Sequence, residues 1–384
     1  MIPSRSITDR PTIHWTEGGE SCTALWHSEA GVAPPKRVQV ADDTLSADTA
    51  YRLACEGTAL LWRGDFQNAR QLLQAMGRRI DRKPRQPAPT AAAAFHLQRM
   101  SQAQRARTLG MLLIPFSADS GIPLRRAPDV RQACAEAHGS AGAPYVASLR
   151  ELLGLIGAHE WRKNGVDIPA CGGSIHPHYG VFAPIRSEYV GLVANTPLPA
   201  GMAKHSLAFD IGTGTGVLAA VLAKRGVAQV LATDQDARAL ECARANTLQL
   251  GLRKQVKIMQ ADLFPPGRAP LIVCNPPWIP ARPSSPLEHA IYDPDSRMLR
   301  GFLNGLAEHL EPGGEGWLIL SDLAEHLALR PRSELLALID GAGLQVLGRL
   351  DVRPTHPRAA DPDDPLHAAR AAEVTSLWRL GVKE

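Results

Sequence analysis

Asp210-Ile211-Gly212-Thr213-Gly214-Thr215-Gly216 places three glycines at alternate positions between a short apolar run, Leu207–Ile211, and an amphipathic one. Glycine permits the tight turn of a strand-to-helix junction and lets a ligand come close to the backbone. The helix that follows offers unpaired N–H groups to a carboxylate or phosphate. Asp234, 18 residues beyond Gly216, closes the next apolar run, Gln229–Thr233. An acid at that place can accept both hydroxyls of a ribose. Asp262-Leu263 follows a third run, Val256–Gln260, and Asn275-Pro276-Pro277-Trp278 follows a fourth, Leu271–Cys274. An isolated aspartate is most simply a turn residue or a helix cap. Four features at the carboxyl ends of successive predicted strands point instead to one crevice of an open α/β sheet.

The chemistry of the fourth segment suits a planar nitrogen. An amide or aryl amine is a poor nucleophile because its lone pair is delocalised. The Asn275 side-chain oxygen and the Pro276 carbonyl can accept its two N–H groups and so aim the lone pair. Pro277 holds Pro276 extended and stiffens the loop, and Trp278 can stack on a flat acceptor. Asn-Pro-Pro-Trp resembles the Asn-Pro-Pro-aromatic signature of S-adenosylmethionine-dependent amino-methyltransferases, which act on protein glutamine amides, adenine, or the exocyclic amine of guanine. The Gly-Thr-Gly-Thr-Gly loop is similar to theirs. With a sulfonium as leaving group, positioning supplies most of the rate, and fixed acceptors stabilise the charge developing on nitrogen.

The chain most resembles the release-factor glutamine methyltransferases (HemK/PrmC type) over about residues 180–320. Pro184-Ile185-Arg186-Ser187-Glu188-Tyr189 stands where that family carries an Arg-Pro-Glu-type segment. The resemblance implies a Rossmann-like, seven-stranded α/β methyltransferase sheet with helices on both faces. It implies S-adenosyl-L-methionine as cofactor, held by Asp210, Gly212, Thr213, Gly214, Thr215, Gly216, Asp234, Asp262, Leu263 and Asn275. Asn275, Pro276, Pro277 and Trp278 would meet the acceptor, a release-factor-like protein. RNA or DNA bases, a small-molecule acceptor, and a non-catalytic cofactor-binding protein are the alternatives; an NAD-dependent dehydrogenase would leave Asn-Pro-Pro-Trp unexplained. Three departures stand out. Trp278 replaces the family's usual tyrosine, the N-terminal region is about twice the family's length, and residues 351–373 make a long connection rich in Pro, Asp and His that can serve as a substrate lid or a loop.

The elements that must position these residues alternate between apolar strands and amphipathic helices from Leu207 onward, with helices at Val217–Arg225 and Ala237–Leu250 and a fifth strand at Gly316–Leu320. This is the pattern of a parallel sheet covered on both faces. Upstream, Ala50, Leu53, Ala54, Leu60 and Leu61, then Ala69, Leu72, Leu73 and Met76, recur at helical spacings, with Gly64-Asp65 between them. Ala91–Leu113, Val130–His138 and Ala147–Ala158 also read as helices, and residues 1–40 as loop-rich. The expectation is a mostly helical N-terminal domain at 1–165 that recognises substrate, then a methyltransferase domain at 166–384 whose first part, 166–206, is a linking segment.

The 384 residues suit two domains. A hydrophobic share of 45% with 21% charged residues fits a soluble globular chain, with no run long enough to span a bilayer. Met1 to Trp15 is polar, so no signal peptide is expected. Six scattered cysteines without a CxxC pair point to a reducing cytoplasm, a bacterial one if the resemblance holds, and away from structural zinc. The net charge of +4 permits a polyanionic partner without requiring one. Arg78, Arg79, Arg82, Lys83 and Arg85 lack interleaved aromatics and read as a solvated linker. His176-Pro177-His178 has no third ligand at metal spacing, and no metal is expected. Asp293-Pro294-Asp295-Ser296 reads as the cap of a helix beginning near Met298. The sequence does not disclose the oligomeric state.

Overall fold

The computed structural model describes residues 10–82, 87–139, 141–185, 187–283, 286–354 and 361–383. The chain divides into two compact units, one of residues 1–88 and 96–160, the other of residues 89–95 and 161–384.

The first unit holds β1 (Thr12–Glu17), β2 (Glu20–His27), β3 (Arg37–Ala41), α1 (Ala47–Cys55), β4 (Thr58–Trp62), α2 (Phe66–Asp81), most of α3 (Ala91–Leu109), β5 (Leu112–Phe116), α4 (Arg131–His138), β6 (Tyr145–Ser148) and the greater part of α5 (Leu149–Asn164). The expected helices are present, but they surround a six-stranded mixed sheet of order β1-β2-β6-β5-β4-β3. Leu60 and Leu61, assigned above to a helix face, lie in β4, and the stretch read as loop contains β1, β2 and β3. Asp65 caps α2 by accepting the Gln67 N–H at 2.9 Å, and pairs with Arg125 and Arg126. Arg78 and Arg79 belong to the last turn of α2 rather than to a linker, with Arg79 paired to Asp48; Lys83 and Arg85 lie outside the described residues.

The second unit adds β7 (Val166–Ile168), β8 (Gly173–Ile175), α6 (Glu188–Asn195), β9 (Leu207–Ile211), α7 (Val217–Lys224), β10 (Gln229–Asp234), α8 (Ala237–Gln249), β11 (Val256–Gln260), β12 (Ala269–Cys274), α9 (Arg297–His309), β13 (Leu310–Ser321), α10 (Leu323–His326), α11 (Arg332–Gly341), β14 (Leu344–Val352), α12 (His367–Ala372) and β15 (Thr375–Val382). Its seven-stranded sheet has the order β11-β10-β9-β12-β13-β15-β14. All neighbours are parallel except β15, which runs antiparallel to β13 and β14.

Successive side chains of a strand face opposite ways, and two cores follow. Ala208, Leu271 and Val273 join α6, α7 and the β7–β8 hairpin on one face. Phe209, Ile211, Ile272 and Cys274 join α9 and α11 on the other. α9 buries Leu299, Phe302, Leu303 and Leu306, the i, i+3, i+4, i+7 stripe of a helix lying on a sheet. The segment 166–206 is more than a linker, because Ile168, Cys171, Ile175, Tyr189, Val190 and Val193 are buried in the first core. Arg186 lies outside the described residues. No described helix is long and apolar enough to cross a membrane.

Candidate active site

The sheet register sets the level of the site. Ile211 pairs with Thr233 on one side and Cys274 on the other. Gly212, Asp234 and Asn275 therefore each stand one step beyond that shared rung. The next strand joins them through Asp234 and Gln260. The strand order runs outward in both directions from β9 and β12, so the carboxyl ends of these two strands form the switch point where ligands enter such sheets.

The glycine turn is held from beneath. Asp210 is buried, and its Oδ2 accepts the Thr213 hydroxyl at 2.6 Å and the Ala219 N–H at 3.1 Å. Burial pushes this carboxyl up to about 6. Thr213 N–H reaches the Thr233 carbonyl at 2.8 Å, and Asn246 Nδ2 donates to the Thr215 carbonyl at 3.0 Å. The Thr213 and Thr215 side chains are buried, so both threonines frame the turn. Gly212, Gly214 and Gly216 all have positive φ. Met298 covers Gly212 and Ala243 crowds Gly216, whereas the side-chain direction of Gly214 is open.

Asp234 reaches back to this turn. Its Oδ2 accepts the Gly214 N–H at 3.0 Å and its Oδ1 the Asp236 N–H at 2.9 Å, while burial holds the carboxyl above the usual range. Leu263, at φ +77°, receives the Thr233 hydroxyl on its carbonyl. Asp262 is exposed and paired with Arg297 at 2.8 Å. An open glycine, an acid facing the same turn and a side-chain amide on the adjoining strand make a cradle suited to a ribose-bearing cofactor.

Past Cys274, Asn275 is half-buried and its Oδ1 accepts the Trp278 indole N–H at 2.8 Å. Pro276 is buried and Pro277 half-buried. Trp278 lies against both cores and a third apolar cluster. The loop then returns: Ile279 donates its N–H to the Ile291 carbonyl, and its own carbonyl accepts the Asp293 N–H at 2.8 Å. The Asp293 carboxylate accepts the Met298 and Leu299 N–H groups at 3.0 and 3.1 Å, capping α9 as the sequence suggested. Burial raises the Asp293 carboxyl as well.

Several neighbours of this loop escaped the sequence reading. Phe95, near the start of α3, is buried with Ile279, Leu323, Leu327, Leu366 and Ala369. Its ring meets Tyr292 edge-on at 6.3 Å between centroids. Leu366 and Ala369 place part of the 351–373 connection in the same cluster; residues 355–360 lie outside the described residues. His176 is engaged structurally, with Nδ1 at 2.6 Å from the Arg162 carbonyl and its N–H on Asn246 Oδ1. No periodicity marks Phe95 or Met298 as neighbours of a loop so distant in sequence.

Residues 174–330 match the family model of the methyltransferase small domain. The release factor glutamine methyltransferase of Cereibacter sphaeroides is 32% identical over 161 residues, covering 38% of this chain and 55% of that protein. The enzyme of the same name from Geobacter sulfurreducens is 35% identical over 134 residues, 31% of this chain and 46% of its own. The ribosomal protein L11 methyltransferase of Sorangium cellulosum is 30% identical over 149 residues, 37% and 41% of the two chains. The chain spans about half the length of the curated relatives it matches.

Proposed function

We propose that the methyltransferase small domain at residues 174–330 makes this chain an S-adenosylmethionine-dependent N-methyltransferase, with a glutamine amide of a release-factor protein as its acceptor. The observation that carries this reading is the shared rung of Ile211, Thr233 and Cys274, which sets the glycine turn, Asp234 and Asn275 at one level of the sheet edge.

Asp234 would accept the ribose hydroxyls, the open backbone at Gly214 would admit the cofactor, and Asp262 and Leu263 would line its far side. When bound, the cofactor supplies an electrophilic methyl group on a sulfonium. Asn275 Oδ1 and the Pro276 carbonyl receive the two N–H groups of the acceptor, aiming the nitrogen lone pair at that methyl. Trp278 closes the site with an apolar wall. The N-terminal unit selects the acceptor. We place the protein in the bacterial cytoplasm, in keeping with its bacterial relatives and with its six free cysteines.

The test is incubation of the full chain with methyl-labelled S-adenosylmethionine and a bacterial release factor, followed by mass spectrometry. Label on a glutamine, absent with Asn275→Ala while cofactor binding stays within about tenfold, is the expected result. Label in RNA or DNA, lost steeply with added salt, overturns the protein acceptor. Calorimetry without cofactor binding overturns the enzyme.

A further inference from the structure

Arg330 stands in the turn between α10 and α11 with only 2% of its surface exposed. Its hydrogen bonds go to neutral groups: Nη2 to the Trp278 carbonyl and Nη1 to the Ser296 hydroxyl, both at 3.3 Å. Glu334, Asp293 and Glu325 favour its charge only through space, and Asp293 already spends its carboxylate on the cap of α9. Burying a guanidinium without a bonded carboxylate is costly. Such a group persists where it does something an apolar side chain cannot.

Here it fastens the backbone of the catalytic loop. One arm grips the Trp278 carbonyl; the other grips Ser296, the residue that precedes α9, the helix whose Met298 covers Gly212. Trp278 in turn donates its indole N–H to Asn275 Oδ1. An indole N–H can be received by the amide oxygen and not by the amide nitrogen. The bond thus decides which way the Asn275 amide faces and leaves the second lone pair of its oxygen for another donor.

We propose that Arg330 is a positioning residue: acting through Trp278, it fixes the Asn275 amide oxygen where the acceptor N–H is received. The inference rests on the methyl-transfer reading above. It assigns Trp278 a task beyond stacking, one that phenylalanine cannot perform.

The experiment compares the full chain with Arg330→Met, which keeps the unbranched stem and removes the guanidinium, and with Arg330→Lys. For Arg330→Met, kcat on the release factor falls at least about 30-fold, while the acceptor KM and the Kd for S-adenosylhomocysteine stay within about threefold. Its thermal midpoint falls by a few degrees, because the Trp278 carbonyl and the Ser296 hydroxyl lose a donor and Asp293 loses a nearby positive charge. Arg330→Lys recovers part of kcat, and Trp278→Phe repeats the kcat loss. Independently of turnover, the Trp278 indole N–H resonance of ¹⁵N-tryptophan-labelled protein, assigned by its loss in Trp278→Phe, moves in Arg330→Met. An unmoved resonance, an unchanged kcat, or a kcat loss with equally weakened S-adenosylhomocysteine binding overturns the proposal. Should the wild-type chain transfer no methyl group, the function fails while the resonance still decides the positioning.

Discussion

The Asp234 carboxylate accepts the Gly214 N–H at 3.0 Å, so the acid ending one strand is bonded to the turn that ends its neighbour. In the proposed complex the same carboxylate serves the ribose hydroxyls, and it does so only when ionised. Asp234→Asn exchanges one acceptor oxygen for a donor. A charged hydrogen bond contributes about 1.5–3 kcal/mol, so the Kd for S-adenosylhomocysteine should rise roughly 10- to 100-fold by calorimetry. Burial raises the Asp234 carboxyl above its ordinary value. Wild-type affinity should therefore weaken toward acid pH sooner than an ordinary aspartate would cause, and Asp234→Asn should lose that dependence. Equal pH profiles in the two proteins would refute the role.

Asp210 makes a different prediction, about stability. Its carboxyl is pushed up to about 6 from an ordinary 3.8 by burial, with Thr213 and Ala219 as bonding partners. An acid with a raised folded pKa favours the native state below its unfolded pKa, and that contribution is lost as pH rises through the folded pKa. The difference of about two units corresponds to roughly 3 kcal/mol at neutral pH. Asp210→Asn keeps an acceptor for both bonds and removes the charge. Measured against wild type, its melting temperature should gain most at pH 8, and the gain should shrink between pH 6 and 4. The slope is diagnostic whatever fixed offset the new amide N–H groups bring. A difference constant from pH 4 to 8 would show that Asp210 is not the group titrating.

The same buried sheet that perturbs Asp210 made the second unit legible in sequence. β9 and β11 coincide with the runs Leu207–Ile211 and Val256–Gln260 because strands of a covered parallel sheet are short apolar runs bounded by turn residues. The cap at Asp293 was equally readable, since its chemistry is local. The first unit misled because Thr58–Trp62 is a five-residue apolar run, which periodicity cannot distinguish from a helix segment. β1 and β2 carry too few apolar residues to announce themselves; in β1 only Ile13 is buried. Arg330 and Phe95 were invisible for another reason. Their meaning comes from what the fold brings to Trp278 and Ile279, and no local pattern encodes that.

Two glycines of the turn should separate binding from folding. A Cβ on Gly216, at φ +82°, would stand 3.2 Å from both Cα and Cβ of Ala243, a neighbour fixed in α8. Left-handed strain of about 1–2 kcal/mol adds to overpacking of about 1–3 kcal/mol. Gly216→Ala should lower the melting temperature by several degrees. Gly214, at φ +54°, would meet nothing within 4 Å. Gly214→Ala should bear the strain alone, yet weaken cofactor binding about tenfold or more by filling the approach to the backbone. The opposite pattern, with Gly216→Ala harmless and Gly214→Ala unfolding, would mean that the open side of the turn has been misassigned.

Phe95 supports the loop that would meet the proposed acceptor. It is 4% exposed, meets Tyr292 edge-on, and shares a cluster with Ile279, which continues the Asn275–Trp278 loop, and with Leu366 and Ala369 of the long C-terminal connection. Replacing a buried phenylalanine by alanine costs about 3–5 kcal/mol, of which an aromatic pair contributes about 0.5–1.5 kcal/mol. In a unit of this size that is roughly 6–20 °C of melting temperature. The cavity would open beside Ile279, in a cluster that Trp278 also touches. Phe95→Ala should accordingly raise the acceptor KM while the Kd for S-adenosylhomocysteine moves less than about threefold. Phe95→Leu, which refills most of the space, should recover the KM. If Phe95→Ala instead weakens cofactor binding as much as it raises KM, the cluster supports the whole sheet edge indiscriminately, and Phe95 has no particular part in shaping the acceptor side.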